Sequence, residues 1–107
     1  MPVVLNCWFF CIQLQATVGS IAQGFVTMHK AAGEDNSLSG KQKELISLGI
    51  AIAIRCESCI ACHVQSALKE GATQEEIVET IGVSVVMGGG PSLVYGDKAY
   101  KAMKEMM

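Results

Sequence analysis

Three cysteines and a histidine fall within the eight positions 56–63, CESCIACH, a density of soft nucleophiles and ligands found nowhere else in the 107-residue chain. Cys56 and Cys59 form a C-x-x-C pair, the arrangement of redox-active dithiols. Residues 59–63 also spell the C-x-x-C-H of covalent haem attachment. Cys56, Cys59, Cys62 and His63 together are the residue types that bind zinc.

Spacing weighs these chemistries differently. On a helix each residue turns the chain by about 100°, which puts all four side chains within a sector of about 120°. Structural zinc needs four ligands converging as a tetrahedron, usually from two separated segments, so one straight helix would have to unravel to supply all four. The haem pattern is short, and attachment normally goes with export. The dithiol asks for less: cysteines at i and i+3 in a first helical turn can approach within disulfide distance. The unpaired N–H groups and the positive end of the helix dipole favour a thiolate there. His63, at i+4 from Cys59, can exchange a proton with it. The plain alternative is three small packed cysteines and a core histidine. Glu44 lies twelve positions before Cys56, about 18 Å away in an unbroken helix. No Gly or Pro near Arg55 forces a break, so composition alone reads Glu44 as a first-turn acid complementing its helix dipole.

The elements that must carry these residues are helical. Ile21, Phe25, Met28 and Ala32 recur at helical spacing, predicting a helix over about 20–32 capped by Gly33. GEDNSLSG, 33–40, is a loop, after which Ser39 and Gln42 form a capping box for a helix through KQKELISLGIAIAI. Only Ser47 is polar between Leu45 and Ile54, so that helix is expected to be buried nearly all round. A further helix is expected over about 56–70, stopped by Gly71. Thr73 with Glu76 caps the next, which GGGP at 88–91 ends. The last, about 92–105, carries Lys98, Lys101 and Lys104 as a solvated stripe. With an apolar segment in residues 1–19, the chain reads as all-α with about six helices: a segment 1–19 of uncertain role and one domain over 20–107.

Composition limits the partners. A net charge of −2 and dispersed basic residues give no stripe for nucleic acid. Half of the residues are hydrophobic and 17% charged, more apolar surface than a small monomer hides easily, so a homo-oligomer is expected. The first charged residue is Lys30. The apolar run before it lacks the basic start of a signal peptide, and Asn6, Gln13, Gln15 and Thr17 interrupt it as a membrane span. It is read as a buried or interface helix, with no membrane contact and a cytoplasmic location. Cys7 and Cys11, and likewise Cys62, are read as packing residues, and His29 is given no role.

Residues 37–99 resemble the core of the carboxymuconolactone decarboxylase superfamily, in its alkylhydroperoxidase D-like branch. That branch is marked by a glutamate, eleven residues and then C-x-x-C-x-x-x-H, met here by Glu44, Cys56, Cys59 and His63. The helix start GATQEEI and the segment GGGPSLVY are similar to the family too. The resemblance implies an all-α oligomer, commonly a trimer or hexamer, and a break near Arg55 that brings Glu44 to His63. It implies that Cys59 attacks a small hydroperoxide, that Cys56 resolves it to a disulfide, and that His63 and Glu44 relay protons. No bound cofactor is implied. An external dithiol, such as a dihydrolipoyl protein, would re-reduce the pair, and a peroxiredoxin is a further expected partner. The motif does not ask for a cysteine at 62. Two other functions fit the same residues: lactone decarboxylation by His63 and Glu44 with the thiols as passengers, and a non-catalytic helical oligomer.

Overall fold

The computed structural model describes residues 17–107, and among them the regular structure is entirely helical. Helix α1 spans Ser20–Gly33, α2 Gly40–Ala53, α3 Glu57–Lys69, α4 Gln74–Gly88 and α5 Gly90–Met106. These are the five helices expected downstream of residue 19. The apolar segment expected before them lies almost wholly outside the described residues.

Two of the starts follow directly from local chemistry. Ser39 Oγ accepts from the Gln42 N–H and Gln42 Oε1 from the Ser39 N–H, at 3.1 and 2.9 Å. Thr73 and Glu76 repeat the arrangement at 3.1 and 2.8 Å. Each box satisfies two N–H groups that a helix start otherwise leaves open. The GGGP stop is sharper than expected: Gly89, at φ 73°, is the whole connection, and α5 begins at Gly90 with Pro91 in its first turn, where its missing N–H costs nothing.

Helices α2 to α5 enclose the core, built on Leu48, Ile52, Ile60, Val64, Ile77 and Met103, all fully buried. Each such side chain contributes about 1.5–3 kcal/mol by leaving water. Close packing needs small residues: a Cβ at Gly96 of α5 would come within 2.7 Å of Ile81 Cγ2 on α4. No helix among the described residues is long and apolar enough to cross a membrane.

One burial expectation is corrected, and the apolar stripe of α1 faces outward. Ile21, Phe25 and Met28 are 75%, 55% and 61% exposed, and Ala22 is the helix's buried residue. Helix α1 lies at the edge of the bundle against α2, and among the described residues nothing covers the stripe. Nor is α2 buried all round. Leu48, Ala51 and Ile52 face the core, but Ile46, Ile50 and Ile54 are exposed. Ile46 and Ile50 join Leu45, Ala53, Val83 and Met87 in lining a groove of about 490 Å³ between α2 and α4.

Candidate active site

The site depends on how α2 stops. Cys56 N–H bonds to Ala51 C=O at 3.0 Å and Arg55 N–H to Ile52 C=O at 3.1 Å, the paired bonds of a Schellman motif with Arg55 in the left-handed position at φ 62°. The end of α3 has the same wiring: Ala72 N–H to Ala67 C=O, Gly71 N–H to Leu68 C=O, and Gly71 at φ 90°. Glycine announces the second of these ends in the sequence, whereas arginine conceals the first. The break that composition did not force is thus made at Arg55, where the two helices join.

Cys56 then serves two helices. It closes the end of α2 and is the N-cap of α3, where its Sγ accepts from the Cys59 N–H at 3.3 Å. The two sulfurs form a disulfide, with the Cα atoms 5.2 Å apart, well inside the bridging range. Glu57 opens α3, favourable at the positive end of its dipole, and pairs with Lys98 of α5 at 2.9 Å. That hydrogen bond is the main reason the Lys98 ammonium is held above its usual range, and it ties α5 to the dithiol's helix.

One turn beyond Cys59, His63 Nδ1 meets Glu44 Oε2 of α2 at 2.6 Å, with both side chains only 15% exposed. Glu44 is therefore not an acid of the first helical turn complementing the dipole; its partner is the histidine. A carboxylate can only accept, so Nδ1 carries the hydrogen of this bond and Nε2 is the ring nitrogen left to exchange a proton. The site can hold a sulfur oxidation state at the dithiol and move a proton at the imidazole. Glu44, Cys56, Cys59 and His63 are thus brought together by the two ends of one hinge.

Two of the plain readings fail. His29 of α1 has its ring stacked on that of His63, centroids 5.6 Å apart and planes 16° from parallel, and Phe25 is tilted beside it at 6.2 Å. It lies fifteen residues before Glu44 in another helix, and no spacing rule links them; only the packing of α1 does. Cys62 is not an idle packing residue, since its sulfur is disulfide-bonded.

Comparison with known proteins agrees with this architecture. The pattern of the carboxymuconolactone decarboxylase family matches residues 20–102. An uncharacterized protein of Cupriavidus necator is 38% identical over 87 residues, 81% of this chain and 74% of its own length. Uncharacterized protein 4 of the cox locus in Paracoccus denitrificans is 34% identical over 87 residues, 81% of this chain and 78% of its own. The crystal structure of a carboxymuconolactone decarboxylase family protein from Legionella pneumophila, in its apo form, superposes with a TM-score of 0.89 at 37% identity, covering 96% of this chain and 92% of that one. A Thermotoga maritima structure gives 0.85 at 25% identity, with 96% and 91% covered.

Proposed function

The chain belongs to the carboxymuconolactone decarboxylase family, and from that premise we propose that it is a thiol-dependent peroxidase or disulfide oxidoreductase of the alkylhydroperoxidase D-like kind. The observation that carries the reading is the joint placement of a disulfide-bonded C-x-x-C pair at a helix start and, one turn on, a histidine held by a carboxylate at 2.6 Å. Either half alone is common. An acid–base couple beside a dithiol is what peroxide reduction requires.

In the reduced protein the Cys59 thiolate attacks the terminal oxygen of a hydroperoxide. The O–O bond breaks, the alkoxide takes a proton relayed by His63, and Cys59 becomes a sulfenic acid. The Cys56 thiol displaces water from that sulfur and forms the disulfide. An external dithiol restores both thiols and leaves as its own disulfide; a dihydrolipoyl protein fits this role, and a peroxiredoxin fits as a downstream recipient. Glu44 keeps the hydrogen on Nδ1 and stabilises the imidazolium. The reading includes self-association, because the α2/α4 groove and the α1 stripe leave apolar surface for another copy to cover.

The test is consumption of tert-butyl hydroperoxide with dihydrolipoamide. The wild type should turn over and Cys59→Ser should not, while Cys56→Ser should accumulate a sulfenic acid on Cys59 that dimedone traps. An active Cys59→Ser protein would sink the reading. Lactone decarboxylation by the same His63–Glu44 couple is the second possibility, and activity surviving loss of both thiols but not of His63 would select it.

A further inference from the structure

We propose that His29 is a positioning residue for the His63–Glu44 couple. Helix α1 brings two residues one turn apart over the two members of the couple. The His29 ring lies on the face of His63, 5.6 Å between centroids and 16° from parallel. A Cβ at Gly33 would sit 4.0 Å from Glu44 Oε1, so the end of α1 runs close over the carboxylate. This separation and tilt lie in the range of attractive aromatic pairs.

The rest of α1 argues that this contact has a purpose. Ala22 is its buried residue, and its apolar stripe is exposed, so core burial holds the helix only lightly. Phe25 lies tilted beside His29, ring centroids 6.2 Å apart and planes at 43°, so three neighbouring rings lead to the proton carrier. Glu44 fixes one edge of the His63 imidazole, but a single hydrogen bond leaves the ring free to tilt about it. A ring lying against its face removes that freedom and keeps water from that side. Proton transfer is steep in geometry, and small misplacements of a relay cost large factors in rate.

The inference rests on the reading of His63 and Glu44 as the proton relay of a thiol peroxidase, and the experiment separates the two. With the full-length chain, tert-butyl hydroperoxide and dihydrolipoamide, His29→Ala should lower kcat roughly five- to twenty-fold with KM unchanged. His29→Phe, which keeps a flat ring, should recover most of the loss, and Lys30→Ala, a neighbour on α1, should match the wild type. The chain has two histidines, so His29→Ala leaves a single imidazole signal in the NMR spectrum, that of His63. It should move downfield as the ring current of His29 is lost, and stay upfield in His29→Phe. Wild-type kcat in His29→Ala, or a Phe variant as impaired as the Ala variant, overturns the proposal. If the wild type itself fails to reduce the hydroperoxide, the peroxidase reading falls instead. The NMR arm then decides for His29, and a His63 signal unmoved by His29→Ala overturns it.

Discussion

Glu44 and His63, nineteen residues apart in sequence, meet at 2.6 Å across the hinge between α2 and α3. The contact exists because α2 ends at a left-handed arginine and α3 folds back along it. Glu44→Gln keeps the shape of the side chain but loses the charge that stabilises an imidazolium. Peroxide turnover should fall by about ten- to a hundred-fold, less than the roughly hundred- to ten-thousand-fold that a positioned acid–base group itself contributes, because His63 remains. Steady-state kinetics beside a circular dichroism spectrum unchanged from wild type would establish this; undiminished turnover would remove Glu44 from the relay.

Arg55 at φ 62° bears a cost that glycine would not. The left-handed region disfavours a residue with Cβ by about 1–2 kcal/mol, while glycine's extra freedom in the unfolded chain returns about 0.5–1 kcal/mol of that. Arg55→Gly should therefore be neutral or stabilising by up to about 1 kcal/mol in urea denaturation. Arg55→Val, whose branched Cβ fits that region worst, should be destabilising. A clear loss of stability on Arg55→Gly would mean that the arginine side chain, not the backbone, holds the hinge.

The α4 capping box carries a pH signature. Glu76 is held below its ordinary value near 4.5, first by the Thr73 backbone N–H and then by Lys41, which it pairs at 3.0 Å. A lowered folded-state value means that the contribution is complete above the unfolded value and disappears as pH falls through the folded one. The gap in melting temperature between wild type and Glu76→Gln should therefore be widest near neutrality and close below about pH 4. A gap independent of pH would show that the carboxylate's charge is irrelevant to the cap.

The groove between α2 and α4 bears on assembly. Light scattering should give a mass that is a multiple of the 11.4 kDa chain. Ile50→Glu with Val83→Glu, both on the groove wall, should bring it down toward one chain, since burying unpaired carboxylates is costly. A monomeric wild type would refute self-association outright.

The helices were legible because their starts are written in local chemistry. Ser39 with Gln42 and Thr73 with Glu76 formed the capping boxes their spacing promised, and Gly71 ended α3. The dithiol was legible too, since C-x-x-C at a helix start needs only neighbouring residues. The meeting of Glu44 with His63 was not readable from composition, because the hinge runs through an arginine in a conformation that sequence rules reserve for glycine or asparagine. It came from family resemblance instead. The stack of His29 on His63 was out of reach for a different reason. It depends on where a loosely buried helix docks, which no local pattern encodes, and the apolar stripe of α1 marks its exposed side.

Because Cys56 both closes one helix and caps the next, no slack remains in the chain between the carboxylate and the dithiol. One residue inserted directly after Glu44 would rotate Glu44 by about 100° and shift it by about 1.5 Å along the axis, turning it away from His63 while Leu48, Ala51 and Ile52 kept their places in the core. The interval of eleven residues is therefore a caliper: its length, more than the identity of any residue within it, keeps the acid in register with the base.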